Sequence, residues 1–170
     1  MEQRENNSIE KQEGTTDLTF SKEKATLLLK INPEDFSVNT LQGFANQEGL
    51  SRKTEFHITL IGRETGEMIL ERLRELSAEE KDKILSAIER LSRDFKWPYS
   101  VIEEHYLISK AYPESEGQDQ EVRRSIVQPI ELPDLITFYA KLNELLGTDF
   151  DVPFPHITLF TTSTRDDMKL

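Results

Sequence analysis

The sequence predicts a mixed α+β domain whose strands pair in an antiparallel manner. Short apolar runs of strand length are closed by glycine or proline, and segments with helical apolar spacing lie between them. The order of these elements is strand, strand, helix, helix, strand, strand, helix, strand. This order indicates an α+β architecture with antiparallel pairings.

Five segments have the composition of strands, rich in β-branched, aromatic or other apolar residues. A polar stretch over residues 113–120 separates two of them and predicts a hairpin. Residues 33–52 predict a loop or irregular segment. The predicted strands cover residues 25–31, 54–61, 99–112, 122–130 and 155–162.

Three segments predict helices. Apolar residues recur at helical spacing over residues 67–76. Ser77-Ala78-Glu79-Glu80 has the pattern of a capping box and predicts that the next helix begins there. The last one begins at Pro133, which the first turn of a helix tolerates, and its apolar face continues to Gly147.

Length, charge and cysteine content limit the class of protein. A chain of 170 residues suits one domain, since it buries roughly two thirds of the surface of its unfolded form. A net charge of −11 argues against tight binding of long nucleic acid, but it is compatible with a small phosphate ligand in a locally basic cleft.

The absence of cysteine excludes disulfides and thiolate chemistry and fits a reducing compartment. No segment has the length and apolarity of a membrane span. We therefore expect a cytoplasmic monomer that does not bind membranes.

The first part of the chain differs in composition from the rest. Residues 1–23 contain few large apolar side chains, too few to offset the entropy of ordering. They predict a disordered acidic and polar tail, and residues 24–170 predict a single domain.

The tetrapeptide His-Ile-Thr-Leu occurs twice, each time in a predicted strand. The two copies begin at His57 and His156, 99 residues apart. Because side chains alternate along a strand, His57 and Thr59 share one face, and His156 and Thr158 share one face. The isoleucine and leucine of each copy point to the opposite face. If the copies face each other across a cleft, they predict a site with two imidazoles and two hydroxyls.

Two imidazoles and two hydroxyls suit the cleavage of a phosphodiester without a metal ion. The reaction needs a base for the attacking oxygen, an acid for the leaving oxygen, and donors for the remaining phosphate oxygens. Imidazole serves as either acid or base near neutral pH. Threonine hydroxyls donate hydrogen bonds to phosphoryl oxygens as charge develops there.

With these paired motifs, the chain resembles the two-histidine (2H) phosphoesterase superfamily, which includes the LigT-like RNA 2′,3′-cyclic phosphodiesterases. The resemblance spans residues 25–162 and implies two pseudo-symmetric lobes of antiparallel sheet, with outer helices, flanking a central cleft. It implies metal-independent hydrolysis, without a cofactor, of a small nucleotide or RNA-end phosphodiester: a 2′,3′-cyclic phosphate, a 2′–5′ linkage or a cyclic dinucleotide. His57 and His156 would be the acid and base, and Thr59 and Thr158 would bind the phosphate. Which histidine is the acid stays open, because the two motifs are identical.

One departure from the family concerns positive charge. Many members carry a basic residue shortly after the second motif, where this chain has Phe160-Thr161-Thr162. Phe154 is a further candidate substrate contact, through stacking on a base, with core packing as the alternative. The candidates for the replacement cation are Arg165, Lys30, Lys110, Arg123 and Arg124.

Other interpretations compete with this one. His105 has no threonine two residues later, which favours a surface role. Both motifs carry threonine where an iron facial triad needs an acidic residue, and a zinc hydrolase needs a third protein ligand, so we predict no metal.

Two alternative functions stay open. The chain could be a module that binds a nucleotide or terminal phosphate without turnover, or a structural domain in which the repeats are evolutionary remnants without a function.

Overall fold

The computed structural model describes residues 17–36, 38–112 and 120–163, which form eight strands and four α-helices. The helices are α1 (Val38–Gln47), α2 (Arg63–Arg72), α3 (Ala78–Arg93) and α4 (Asp134–Leu146). The strands are β1 (Leu18–Ser21), β2 (Thr26–Lys30), β3 (Ser51–Arg52), β4 (His57–Ile61), β5 (Ser100–Val101), β6 (Tyr106–Tyr112), β7 (Glu121–Glu131) and β8 (His156–Ser163).

All strand pairs within the described residues are antiparallel, in the order β1-β2-β4-β8-β7-β5. Strand β3 also pairs with β8, and β6 also pairs with β7. The α+β class and the antiparallel pairing predicted from the sequence are thus confirmed. Strands β4 and β8, which carry the two repeated motifs, are neighbours at the centre of the sheet. They pair at Ile58 and Ile157.

The helix boundaries follow local signals in the sequence. At the start of α3, the Ser77 side chain accepts a hydrogen bond from the Glu80 backbone, and the Glu80 carboxylate accepts one from the Ser77 backbone. Helix α4 ends at Gly147, whose φ of 62° is left-handed. Both boundaries were predicted. Helix α2 begins four residues earlier than predicted, because its first turn is polar and adds no apolar periodicity.

Three elements differ from the sequence-based prediction. Residues 33–52, predicted as a loop, contain α1 and β3; the apolar residues Val38, Leu41 and Ala45 of α1 do recur at helical spacing, and the prediction overlooked them. The predicted tail includes β1, which pairs with β2 along its whole length, so the ordered sheet begins before residue 24. Residues 1–16 of that tail lie outside the described residues.

The predicted strand over residues 99–112 is divided into β5 and β6, both of which pair with β7. The predicted hairpin is confirmed by the antiparallel pairing of β6 with β7. Most of its predicted turn, residues 113–119, lies outside the described part of the chain.

Each motif strand carries a β-bulge immediately after its threonine. The register of β4 on β2 shifts so that Leu60 is an extra residue, and the register of β8 on β7 shifts so that Leu159 is one. A bulge breaks the alternation of side chains and lets consecutive residues turn to one face. Leu60 and the following Ile61 are both fully buried, as are Leu159 and the following Phe160.

Groups from elsewhere in the chain bind the carbonyl oxygens of the two bulge leucines. The Tyr139 hydroxyl in α4 donates to the Leu60 carbonyl oxygen at 2.6 Å. The Lys53 backbone N–H, just after β3, donates to the Leu159 carbonyl oxygen at 3.0 Å. These bonds matter because a buried carbonyl without a partner destabilises the fold.

We predict that Tyr139→Phe lowers the free energy of unfolding by about 1–3 kcal/mol, because it leaves the buried Leu60 carbonyl without its donor. Urea denaturation measures this change. The matched control is Tyr106→Phe, which removes a hydroxyl bonded to the exposed Glu104 and should change stability by less than about 0.5 kcal/mol. Equal effects of the two substitutions would show that the bulge contact contributes nothing.

Candidate active site

The central strand pairing brings all four polar motif residues to one face of the sheet. Because the two motif isoleucines are paired in antiparallel strands, His57 stands opposite Thr158 and Thr59 stands opposite His156. Both isoleucines are fully buried on the other face. The same register that buries the apolar half of each motif therefore exposes the polar half.

A cleft of about 450 Å³ opens on this polar face and contains both histidines and Thr158. We call it the histidine cleft. It extends from β4 across β8 to β7 and β6, and its other lining residues are Lys53, Glu55, Ile108, Lys110, Tyr112, Arg123, Ser125 and Thr161.

Three cations line the histidine cleft although the chain as a whole is acidic. Lys53, Lys110 and Arg123 line it, against the single carboxylate of Glu55. The whole chain carries a net charge of −11. Two of these cations also pair with carboxylates just outside the lining, so the cleft offers cationic groups to a small anion without a net surplus of positive charge.

Two of these cations are held over an aromatic ring. The Lys110 ammonium and the Arg123 guanidinium each lie 5.1 Å from the centre of the Tyr112 ring. Lys110 also lies 3.6 Å from Glu64, and Arg123 forms a 3.0 Å ion pair with Glu121. These contacts fix the two cations at the β6–β7 end of the cleft.

His57 lies in an environment that favours its neutral form. Burial lowers the pKa of its imidazole below the ordinary value, and the positive charge of Lys53 lowers it further. The carboxylate of Glu55 acts in the opposite direction and raises that pKa, with a smaller effect. A histidine with a lowered pKa carries a free lone pair at neutral pH and can accept a proton.

His156 is oriented by the residue two positions before it. Its Nδ1 lies 2.8 Å from the backbone carbonyl oxygen of Phe154. Since a carbonyl only accepts, Nδ1 carries the hydrogen of this bond, and Nε2 is the nitrogen left for a ligand. The Phe154 ring also stacks on the imidazole, with centroids 5.7 Å apart and an interplanar angle of 19°. Pro153 and Pro155 restrict the backbone on both sides of this contact.

The hydroxyls of the cleft differ in their partners. Thr161 donates to the Arg124 carbonyl oxygen at 3.2 Å, and its own oxygen lies 3.1 Å from the Ser125 hydroxyl. Thr161 reaches this face because the bulge at Leu159 shifts the alternation of β8. Within the described residues the Thr158 hydroxyl has no hydrogen-bond partner, so it can donate to a ligand.

The structure therefore brings together five of the residues predicted from the sequence: His57, His156, Thr158, Lys110 and Arg123. Thr59 is on the same sheet face but lines a second cleft, because it stands beside Leu28 of β2 and away from β7. Its role as a phosphate ligand stays a prediction.

The other candidate contacts lie outside the lining of the histidine cleft. Lys30 pairs with His57 across β2 and β4 but is exposed. Arg124 forms a 2.6 Å ion pair with Glu48. Phe154 is 60% exposed and contacts His156 rather than the core. Arg165 lies outside the described residues.

Sequence reasoning missed Lys53, Glu55, Ser125 and Thr161. Lys53 and Glu55 lie in the short connection between β3 and β4, directly before His57, so their closeness to the motif in sequence was the available signal. Thr161 joins the cleft only through the bulge, and Ser125 only through the pairing of β7 with β8. Neither feature can be read from a single sequence.

No protein-family model matches the chain, and comparisons with curated proteins and with solved structures gave no match. Among the described residues, no helix has the length and apolarity needed to cross a membrane. In the same part of the chain, no three side chains of His, Cys, Asp or Glu cluster as metal ligands would. The functional interpretation therefore depends on the geometry of the cleft itself.

We predict opposite shifts of the His57 pKa when its two charged neighbours are neutralised. Lys53→Met should raise this pKa, because it removes a positive charge that disfavours imidazolium, and Glu55→Gln should lower it further. An NMR titration of the imidazole Hε1 signals measures both shifts. The exposed His105 serves as the internal control. Shifts of the same sign in both variants would contradict this account of the cleft.

Proposed function

We propose that this chain is a metal-independent phosphodiesterase of the two-histidine phosphoesterase type, acting on a small nucleotide or an RNA-end phosphodiester. The observation that carries the proposal is the convergence of His57, His156, Thr158 and Lys53 in one cleft at the centre of the sheet. Acid, base and hydroxyl donor are the groups that such a reaction needs.

The arrangement of strands around the motifs supports the two-lobed architecture of this superfamily. Each motif strand pairs with the other on its inner side, and with β2 or β7 on its outer side. Each outer pairing contains a bulge at the same motif position, the leucine. We infer that the strands before and after the β4–β8 junction correspond to two pseudo-symmetric lobes.

In the proposed reaction, His57 is the general base and His156 is the general acid. The lowered pKa of His57 leaves its imidazole neutral, so it removes a proton from the attacking water as the new P–O bond forms. His156 donates the proton on Nε2 to the leaving oxygen as the old P–O bond breaks. The Nδ1 hydrogen bond to the Phe154 carbonyl oxygen orients the ring and leaves Nε2 for the leaving oxygen.

Lys53 supplies the positive charge that the family places after its second motif. Its backbone N–H is bonded to the carbonyl oxygen of Leu159, the last residue of that motif. Its ammonium acts on His57 and lines the same cleft. Lys53 and the Thr158 hydroxyl are therefore the groups we assign to the non-bridging phosphate oxygens.

We predict that the wild-type protein hydrolyses a phosphodiester in the presence of EDTA, with a bell-shaped dependence of kcat/KM on pH. The panel consists of 2′,3′-cyclic mononucleotides, 2′–5′ and 3′–5′ dinucleotides, and cyclic dinucleotides. His57→Ala and His156→Ala should each lower kcat about 10²–10⁴-fold, because each removes one proton transfer. The control His105→Ala should keep wild-type activity, since this histidine is exposed and lies outside the cleft.

Three other outcomes would reject the proposal. If no substrate is hydrolysed but nucleotides still bind, the chain is a binding module. If replacing both motif histidines changes neither activity nor ligand affinity, the repeats are structural. If EDTA abolishes the activity, the reaction depends on a metal ion.

We also predict that the two motif threonines differ in importance. Thr158→Val should lower kcat/KM about 10²-fold, because it removes a hydroxyl donor from the histidine cleft while keeping the β-branched shape. Thr59→Val, the matched control, should cost less than about tenfold, because Thr59 lines the neighbouring cleft. Steady-state kinetics on the best substrate of the panel measures both. A larger loss for Thr59→Val would mean that the phosphate lies over β4 and not over β8.

A further inference from the structure

A second cleft, of about 730 Å³, opens beside the first one on the Thr59 side. We call it the Leu28 cleft, because Leu28 of β2 lies next to Thr59 of β4 on its floor. Thr59 also stands opposite His156 in the strand register. A substrate group that extends from the phosphate toward Thr59 would therefore lie in the Leu28 cleft.

The two clefts occupy corresponding places around the repeated motifs. Because both bulges fall after the motif threonine, Leu28 beside Thr59 corresponds to Val127 beside Thr158. Two residues back along each outer strand lies a second hydroxyl, and two residues further back lies a basic residue, which is in β7 on one side and in the turn before β2 on the other. The two resulting sets are Thr59, Thr26 and Lys24 in the Leu28 cleft, and Thr158, Ser125 and Arg123 in the histidine cleft.

The two clefts differ in charge. The charged lining residues of the Leu28 cleft, Glu23, Lys24, Arg63 and Glu67, balance one another. Arg63 and Glu67 are also paired with each other, at 3.1 Å. The lining of the histidine cleft has three cations and one carboxylate, and two of those cations pair with carboxylates just outside it. The lining of the Leu28 cleft thus lacks the excess of cations that would favour a second phosphate.

The floor of the Leu28 cleft is apolar. The side chains of Leu28 and Leu70 are partly exposed there, and Ile61 lies beside them. The hydroxyls of Thr26 and Thr59 lie at the same surface. Apolar surface with a few hydroxyls suits a flat group that has an apolar face and polar edges.

We propose that the Leu28 cleft binds the uncharged, ring-bearing substituent of the phosphodiester, a group of the size and chemistry of a nucleobase. This inference rests on the proposed function for the position of the phosphate. It assigns the two sides of the substrate: the charged phosphate lies in the histidine cleft, and the neutral ring lies over Leu28.

The test fills the Leu28 cleft with Thr26→Phe. The control is Thr40→Phe, the same change at an exposed position of α1 that lines neither cleft. Each protein is assayed with the four 2′,3′-cyclic mononucleotides and with glycerol 1,2-cyclic phosphate, which has no base. For each protein, kcat/KM for the nucleotides is divided by kcat/KM for the glycerol ester. Thr26→Phe should lower this ratio about tenfold, because it raises KM for the nucleotides. Thr40→Phe should leave the ratio at the wild-type value.

A second variant and a binding measurement keep the test independent of folding and of turnover. Leu28→Gln removes apolar floor without filling the cleft, and it should lower the same ratio. Dissociation constants of 3′-mononucleotides and of inorganic phosphate are measured by calorimetry for each variant. Both variants should weaken nucleotide binding more than phosphate binding.

The outcomes separate this inference from the proposed function. If the wild type hydrolyses cyclic nucleotides but both variants keep the wild-type ratio, the Leu28 cleft is not the base site and the inference is wrong. If the wild type hydrolyses nothing and the variants selectively weaken nucleotide binding, the enzymatic proposal fails while the cleft assignment stands. If nucleotides bind no better than inorganic phosphate, the cleft assignment fails.

Discussion

The pairing of Ile58 with Ile157 at the centre of the sheet is the constraint on which the rest of the site depends. Both side chains are completely buried, so core packing holds this register in place. A slip of one residue would turn an imidazole into the core and an isoleucine into solvent. The fold and the proposed chemistry therefore share one register, and the apolar half of each motif fixes the position of its polar half. This is why two short repeats far apart in sequence form one site.

The bulges convert this simple pairing into a shaped cleft. At each one, two consecutive apolar residues enter the core, and the strand then continues with a shifted alternation. In β8 this shift brings Thr161 to the cleft. The bond that satisfies the Leu159 carbonyl also holds Lys53 beside the second motif. One backbone contact thus stabilises an irregular strand and fixes a cation in an otherwise acidic protein.

The sequence predicted the features that depend on local patterns. The strand character of the two motifs, the capping box at Ser77 and the helix end at Gly147 all reflect short-range preferences, and all are present in the structure. Helix α1 was missed although its apolar residues Val38, Leu41 and Ala45 recur at helical spacing. The neighbours of Thr59 depend on which strand lies beside β4 and on where the bulge falls. The strand order and the position of the bulge are long-range properties that local sequence patterns do not reveal.

The central claim is that His57 and His156 act on one phosphate. It is tested most directly by an NMR titration of the wild-type protein with inorganic phosphate at constant pH and ionic strength, followed through the three imidazole Hε1 signals. The account predicts that the His57 and His156 signals shift along a single binding curve with one dissociation constant, while that of His105 stays in place. Shifts of only one motif histidine, or two curves with different dissociation constants, would contradict the account.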